Sequence, residues 1–273
     1  MKGQLRKMQV SLENPVHYQL PLTDERVPLN PVLGQNIRLN FTGKIFCSHC
    51  GRATKKSFDQ GYCYPCFTSL AQCDMCIVKP ELCHYDAGTC REPEWGLAFC
   101  YQPHIVYLAN SSGVKVGITR QSQIPTRWID QGASQALPIF KVQSRQISGL
   151  IEVELAKHVS DKTSWQQMLK SRAEPVDLAA KRDELMALCE PKLTELKQRF
   201  GESAITFLPE QAVTTINFPI ATYPTKVTSF NLDKAPQVAG VLQGIKGQYL
   251  ILDNGVINIR KYAGYEVEFE IIA

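Results

Sequence analysis

Apolar and polar residues alternate with two different periods along this chain of 273 residues. A period of two, which is typical of half-buried strands, occurs near both ends, for example at Ile37, Leu39 and Phe41. Toward the middle the apolar residues recur at helical spacing, for example at Leu185 and Leu188. The pattern predicts an α+β fold with β-rich ends and a helical middle.

Two β-hairpins are the clearest local predictions. One joins strands over 105–109 and 114–118 through a turn at 110–113, and the other joins strands over 249–252 and 256–259. The C-terminal strands predict a small barrel or a sheet. The N-terminal strands are expected to join it, because the ends of a chain often lie close together.

Helices are predicted over 125–130, 150–159 and 164–169, and the last has a start signal at Asp161 and Thr163. A longer helical stretch then begins, and proline and glycine set its limits.

This stretch starts at Pro175, is interrupted at Pro191 and stops at Gly201, since proline lacks the amide donor of a helix interior and glycine favours helix ends. The chain is therefore expected to contain five segments. They are a β-rich flank (1–46), a cysteine-rich zinc-binding module (47–103), a hairpin-plus-helices domain (104–170), a helical connector (171–204) and a C-terminal β domain (205–273).

The composition is that of a folded protein, with 44% hydrophobic and 21% charged residues and no polar low-complexity tract. No stretch approaches the ~20 consecutive apolar residues of a membrane-spanning helix, and the first residues lack the apolar run of a secretory signal. We therefore expect a cytoplasmic protein with no membrane partner.

The first four cysteines form two C-x-x-C knuckles separated by 12 residues, namely Cys47, Cys50, Cys63 and Cys66. Each knuckle places two thiolates on one tight turn, and two knuckles complete the tetrahedral shell of a structural zinc site. Gly51 and Gly61 suit such turns. Reduced cysteines without metal are the alternative, but four buried thiols seldom recur at this spacing.

A second zinc site is predicted from a third knuckle and two later cysteines, namely Cys73, Cys76, Cys83 and Cys90. Its fourth ligand stays open, because Cys100 and His104 compete for that place. His49 and His84 can also bind zinc. The remaining Cys189 lies in a helical pattern, which predicts a core side chain. Closed zinc sites of this kind stabilise a fold and leave no coordination position for catalysis.

Zinc binding changes the charge balance. The formal net charge is +4 with neutral cysteines, but eight thiolates and two Zn²⁺ ions together carry four negative charges. Residues 101–170 hold a local surplus, with eight Lys and Arg against four Asp and Glu. This segment is the expected surface for a polyanion, although an ordinary solvated face has the same composition.

Short motifs follow the cysteines. The tripeptides 105–107 (Ile-Val-Tyr) and 115–117 (Lys-Val-Gly) lie on the two hairpin strands, Arg127 follows, and Glu152 lies on a later helix. Residues 104–170 thereby resemble the GIY-YIG nuclease superfamily, in which a hairpin carries two tripeptides and helices supply an Arg and a Glu. Two positions depart from that pattern, since Ile105 replaces a glycine and a lysine replaces a tyrosine. The whole chain also resembles an uncharacterised bacterial family that joins cysteine knuckles to such a domain.

The resemblance implies a GIY-YIG-type endonuclease that cuts nucleic-acid phosphodiesters with one divalent ion, Mg²⁺ or Mn²⁺. Glu152 would hold the ion and Tyr107 would help to activate water. Arg127 would stabilise the phosphate, and Lys115 would keep a proton-handling group at the tyrosine position. Glu154 competes with Glu152, because an offset of two residues turns a helical side chain by about 200°.

Each candidate has a structural alternative, since Tyr107 can be a core aromatic residue and Arg127 an ordinary surface cation. Nucleic acid, either DNA or RNA, is the expected partner, and whether the chain is an enzyme stays open. A catalytically inactive scaffold for protein interaction or assembly, stabilised by structural zinc, is the alternative function. An enzyme acting on a small phosphorylated ligand is a third hypothesis, and the sequence does not determine the oligomeric state.

Overall fold

The computed structural model describes residues 1–159 and 164–272, and it confirms the α+β class. The strands are β1 (Lys2–Gln4), β2 (Gln9–Ser11), β3 (His17–Leu22), β4 (Glu25–Pro28), β5 (Asn36–Phe46), β6 (Ala53–Thr54), β7 (His104–Asn110), β8 (Val114–Arg120), β9 (Gln135–Val142), β10 (Ile205–Phe207), β11 (Thr214–Thr215), β12 (Gln237–Lys246), β13 (Tyr249–Leu252), β14 (Gly255–Asn258) and β15 (Tyr265–Ile272). The helices are α1 (Tyr64–Ser69), α2 (Met75–Val78), α3 (Pro93–Phe99), α4 (Thr126–Asp130), α5 (Arg145–Ala156), α6 (Trp165–Lys170) and α7 (Leu178–Phe200).

The two ends of the chain share one antiparallel sheet, which we call the terminal sheet. Its strand order is β1-β15-β5-β12-β13-β14, and β6 also pairs with β5. Strand β15 lies between β1 and β5, so N-terminal and C-terminal residues are hydrogen-bonded to each other. The expected joining of the ends is confirmed. The path of the described strands is open, so this unit is a sheet and not a closed barrel. Strands β2, β3 and β4 form a separate small sheet.

The predicted first hairpin lies in another sheet, with the strand order β10-β9-β7-β8 and with β11 also paired to β9. Strands β7 and β8 are antiparallel and place Tyr107 opposite Gly117. Every residue of β7 is buried, because its two faces contact different layers. Val106 and Leu108 pack in a core with α5 and α7, whereas Tyr107 packs toward α4 and the terminal sheet. One strand therefore connects the two main cores of the protein.

The predicted helices are present with shifted ends. Helix α5 begins at Arg145, ahead of the predicted start, because the Ser144 hydroxyl oxygen accepts a hydrogen bond from the Ile147 amide at 3.3 Å. Ser164 caps α6 in the same way, and the predicted start signal at 161–163 lies outside the described residues. In the described part of the chain, we find no helix with the length and apolar character that crossing a membrane requires.

Helix α7 runs through Pro191 without a break, so the predicted interruption is wrong. Its buried residues keep helical spacing on both sides of the exposed proline and belong to the core shared with α5, namely Leu185, Cys189, Leu193 and Leu196. Burial of this stripe offsets the missing amide hydrogen bond, whose loss in a helix interior costs ~3 kcal/mol.

We expect Pro191→Ala to raise the free energy of unfolding by roughly 1 to 3 kcal/mol, because alanine restores the amide donor without disturbing a buried contact. Urea unfolding followed by circular dichroism measures the change. The matched control is Glu190→Ala at the neighbouring exposed position, which should shift the free energy by less than about 0.5 kcal/mol. A destabilised Pro191→Ala protein would show that the proline improves the fit of α7 to its neighbours.

Candidate functional site

The first four cysteines form one cluster, in which the Sγ atoms of Cys47, Cys50, Cys63 and Cys66 all lie within 4.8 Å of one another. Strand β5 leads directly into the first knuckle, and Gly51 takes a φ of +72° in the turn. The second knuckle starts at Cys63, the residue that precedes α1. Two separate elements thus present their thiols to one point, and this cluster could hold a metal ion.

The backbone around this cluster stabilises a thiolate. Burial by itself raises the pKa of Cys47, but backbone amides of Cys50, Cys63 and His49 form hydrogen bonds to its sulfur and bring the pKa down to about 6. Cys47 is therefore ionised at neutral pH, and the thiolate is the form that binds a metal.

The later cysteines are not grouped as their spacing suggests. One small cavity of about 20 Å³ is lined by four cysteines, namely Cys76, Cys83, Cys90 and Cys100. Cys73 does not line this cavity and belongs with Cys47 and Leu70 to the cluster of buried residues around the first knuckles. Cys100, which the sequence suggests as an alternative fourth ligand of the second site, lines the same cavity as the later cysteines.

The histidines named as competing ligands occupy different places. His84 lines the same small cavity, and its Nε2 lies 3.5 Å from an Asp74 carboxylate oxygen. His104 is fully buried in β7, where its Nδ1 lies 2.7 Å from the carbonyl oxygen of Gln102. Burial lowers the pKa of His104 to about 4, so the ring is neutral at physiological pH. Cys189 is buried among apolar side chains of α5 and α7, as predicted.

A much larger cleft, of about 740 Å³, lies where three parts of the protein meet. Residues from 59–80 of the cysteine-rich module line part of it, and residues of β8, α4 and α5 line another part. Both chain ends contribute as well, through Lys7 and Arg260. Lys115, Arg127 and Glu152 all line this cleft. The structure thus brings together three of the four residues that the hairpin motif singles out.

The cleft is basic. Among the described residues, its lining contains six cationic side chains and three carboxylates, namely Lys7, Lys115, Arg120, Arg127, Arg145 and Arg260 against Asp59, Asp130 and Glu152. Asp130 is already engaged, since it pairs with Lys7 and accepts a hydrogen bond from Gln248 Nε2 at 2.9 Å. Burial lowers the pKa of Arg145 and of Arg260, but arginine is basic enough to stay charged at neutral pH. A positive lining of this kind attracts anions.

Tyr107 lies behind the cleft wall and has no exposed surface. It reaches the cleft through Gln131. When the Gln131 amide is oriented to suit its neighbours, its oxygen accepts hydrogen bonds from Arg127 Nε at 3.0 Å, from Arg127 Nη2 at 3.2 Å and from Tyr107 Oη at 3.0 Å. The tyrosine and the guanidinium of Arg127 are therefore connected by one bridging amide.

The protonation of Tyr107 follows from its position. Burial raises the pKa of Tyr107 to about 12, although Arg127 and Gln131 act in the opposite direction. The phenol therefore stays protonated at neutral pH and can donate a hydrogen bond to the Gln131 amide oxygen. Tyr107 lies one side chain away from the cleft surface, behind Gln131 and Arg127.

Glu152 and Glu154 lie on different sides of α5, as the helical offset requires. Glu152 lines the cleft. Glu154 Oε2 accepts a hydrogen bond from Lys157 at 2.6 Å and lies near His158 and Cys189, away from the cleft lining. Of the two candidates, Glu152 is therefore the carboxylate that the cleft can use.

Helix α5 also joins the cysteine-rich module to the hairpin domain. A Cβ atom on Gly149 would lie 2.6 Å from Pro80 Cβ, so the helix and the module approach closely only because this residue is glycine. Arg145 Nη2 adds a hydrogen bond of 2.5 Å to the carbonyl oxygen of Ile77. These contacts hold the module's part of the cleft lining against the helix that carries Glu152.

Sequence reasoning identified only Lys115 and Arg127 among the six cationic residues of the lining. Arg120 ends β8, Arg145 begins α5, and Arg260 lies in a short 3₁₀ helix after β14. The surplus of positive charge over residues 101–170 includes Arg120 and Arg145, but it did not identify either as a site residue. No spacing rule relates Arg260 to the hairpin motif, because only the packing of the terminal sheet against α4 brings it to the cleft.

We expect Gly117→Ala to destabilise the protein by about 1 to 3 kcal/mol, because the new Cβ atom would lie 2.6 Å from Tyr107 Cζ in a buried core. A double-mutant cycle with Tyr107→Ala, followed by urea unfolding, measures the coupling. Gly117→Ala should cost much less once the ring is removed. An equal cost in both backgrounds would mean that the glycine has another role.

Comparison with known proteins places the chain in a family. A search of curated proteins and a search of solved structures found no match. The profile of one family matches residues 34–267, a region that includes both groups of cysteines and every residue of the cleft lining except Lys7. The chain therefore belongs to the family described as "Protein of unknown function (DUF2797)".

Proposed function

We propose that the protein binds nucleic acid by its phosphate groups in this cleft. One observation carries the proposal. Lys115, Arg127 and Glu152, which the hairpin motif singles out, line a single cleft together with three further arginines. Guanidinium groups match pairs of phosphate oxygens, and an excess of cations over carboxylates attracts a polyanion.

Arg127 is the central phosphate contact in this proposal. Gln131 holds its Nε and Nη2 atoms from behind, and Tyr107 supports that amide in turn. A side chain that is held before the ligand arrives loses less conformational freedom on binding. Lys115 on β8 and Arg145 at the start of α5 add two further cations to the cleft lining.

We also propose that the cleft hydrolyses a phosphodiester bond with the help of a divalent ion. Mg²⁺ and Mn²⁺ prefer carboxylate and phosphate oxygens, and Glu152 supplies a carboxylate in the cleft. When bound, the ion would act as a Lewis acid and lower the pKa of a bound water. Arg127 would stabilise the negative charge that develops on the phosphate oxygens, and Tyr107 would act indirectly by orienting Arg127.

The first cysteine cluster is proposed to hold Zn²⁺. A tetrahedral site with Zn–S bonds of about 2.3 Å has sulfur–sulfur edges of about 3.8 Å. The distance from Cys50 Sγ to Cys63 Sγ is 3.8 Å. A shell of four thiolates leaves no open coordination position, so zinc here stabilises the module and takes no part in hydrolysis.

A protein-interaction scaffold is the second candidate function, and one observation favours it. Seven large apolar or aromatic side chains of residues 64–101 are exposed, namely Tyr64, Met75, Val78, Leu82, Leu97, Phe99 and Tyr101. Exposed apolar groups concentrated on one small module are typical of protein-binding surfaces. In that case the cleft would serve assembly and not hydrolysis.

Binding is tested by fluorescence anisotropy with labelled single-stranded and duplex DNA and RNA over a series of salt concentrations. We expect affinity to fall steeply with salt, because several phosphates are contacted. Arg127→Ala should weaken binding by about 10-fold or more and reduce the salt slope by about 1. Arg26→Ala, which removes an exposed arginine outside the cleft lining, should change neither value.

Two outcomes would redirect the proposal. Binding with a shallow salt slope would indicate a small phosphorylated ligand, because few phosphates would then be contacted. No binding at low salt would make the protein-interaction scaffold the better candidate.

Hydrolysis is tested on the same nucleic acids with and without Mg²⁺ or Mn²⁺. Glu152→Gln keeps the size of the side chain and removes its charge, so we expect cleavage to fall by about 100-fold or more while binding persists. Glu154→Gln is the matched control on the other side of α5 and should cleave normally. Cleavage that Glu152→Gln leaves unchanged would point to a contaminant or another site, and binding without metal-dependent cleavage would eliminate the hydrolase.

A further inference from the structure

We infer that Cys76, Cys83, Cys90 and Cys100 form a second zinc site, which skips Cys73 and takes the cysteine that follows α3. The four side chains line one cavity of about 20 Å³. A cavity of roughly 10 to 15 Å³ on this measure holds one water molecule, so this one has room for a single ion. The inference stands independently of what the cleft binds.

Helix α3 directs Cys100 to the cavity. Gly96 packs against one of the other ligands, since a Cβ atom there would lie 3.4 Å from Cys90 Sγ and 3.0 Å from the ring of Tyr85. Residues four positions apart share one helix face, and the Cys100 amide donates a hydrogen bond of 2.8 Å to the Gly96 carbonyl oxygen. Cys100 therefore lies on the side of α3 that faces Cys90.

Cys73 is directed elsewhere by the start of α2. The Asp74 carboxylate accepts a hydrogen bond from the Cys76 amide at 3.1 Å and caps this helix. The turn leaves Cys76 at the cavity and Cys73 beside the first cluster, where four thiols are already grouped. In the inferred site, the two cysteines of the C-x-x-C spacing at 73–76 therefore do not share one metal.

Two arginines suit the charge of such a site. Four thiolates and one Zn²⁺ carry a net charge of about −2, which neighbouring cations stabilise. Arg91 lines the cavity, and the backbone amide of Arg145 donates to the Cys100 carbonyl oxygen at 2.8 Å. The guanidinium of Arg145 binds the Ile77 carbonyl oxygen, between two of the inferred ligands. The same arginine lines the cleft, so the second zinc would stabilise a cleft wall.

Two other possible donors, Asp74 and His84, lie near the cavity. Asp74, Cys76 and His84 have ligand atoms within 4.8 Å of one another. Asp74 pairs with Arg91 at 2.7 Å, and His84 Nδ1 lies 2.8 Å from Thr89 Oγ1. Four thiolates fill the coordination shell of one zinc ion, so we assign Asp74 and His84 to its surroundings and not to its ligands.

The test is the zinc content of the full chain, purified without chelator and measured by plasma mass spectrometry. X-ray absorption at the zinc edge counts the sulfur ligands. We expect about two zinc ions in the wild type, each with about four sulfur ligands. Cys100→Ser and Cys47→Ser should each reduce the content to about one, whereas Cys73→Ser and His84→Gln should each retain two.

Several results would overturn the inference. They are a wild type with one zinc, a Cys73→Ser or His84→Gln variant that loses one, and a Cys100→Ser variant that keeps two with unchanged sulfur ligation. If Cys100→Ser does not fold, the wild-type absorption spectrum still decides, because nitrogen or oxygen in the average zinc shell would exclude two sites of four cysteines.

Discussion

The close approach of helix α5 to the segment between Cys76 and Cys83 is the contact on which the cleft depends. Gly149 has no side chain, and the space that a Cβ atom would need is filled by Pro80. The cysteine-rich module can therefore lie directly on the helix. Arg145 and Glu152 on that helix line the cleft together with residues from 59–80 of the module. A wider separation at Gly149 would move the module's part of the cleft lining away from α5.

The cysteine-rich module, which lines part of the cleft, is attached to the rest of the protein at two places. Its first cluster begins immediately after β5 of the terminal sheet. Its last cysteine, Cys100, accepts a hydrogen bond from the Arg145 amide through its carbonyl oxygen. The module has few apolar side chains to bury, and several of its largest ones are exposed. Metal–thiolate bonds can replace a hydrophobic core in so small a unit. The two groups of cysteines would thus fix the module to the terminal sheet at one end and to α5 at the other.

Local patterns in the sequence were enough to predict the two hairpins, most helices and the first cysteine cluster. In each case neighbouring residues decide the outcome, as in the paired strands that place Tyr107 opposite Gly117. The motif also marked Lys115, Arg127 and Glu152, which share the cleft. Errors arose where distant packing decides. Buried residues on both sides of Pro191 keep α7 continuous. Arg260 reaches the cleft only through the packing of the terminal sheet.

Photocrosslinking decides whether nucleic acid lies along the cleft. A single-stranded oligonucleotide that carries a thiolated pyrimidine would be irradiated with the full protein, and mass spectrometry would locate the crosslinked residues. If the cleft is the binding site, crosslinks fall on both parts of its lining, near Tyr62 of the module and on residues 115–120 of β8, and they are lost in Arg127→Ala. Crosslinks confined to surfaces outside the cleft lining, and unaffected by Arg127→Ala, would show that nucleic acid does not bind there.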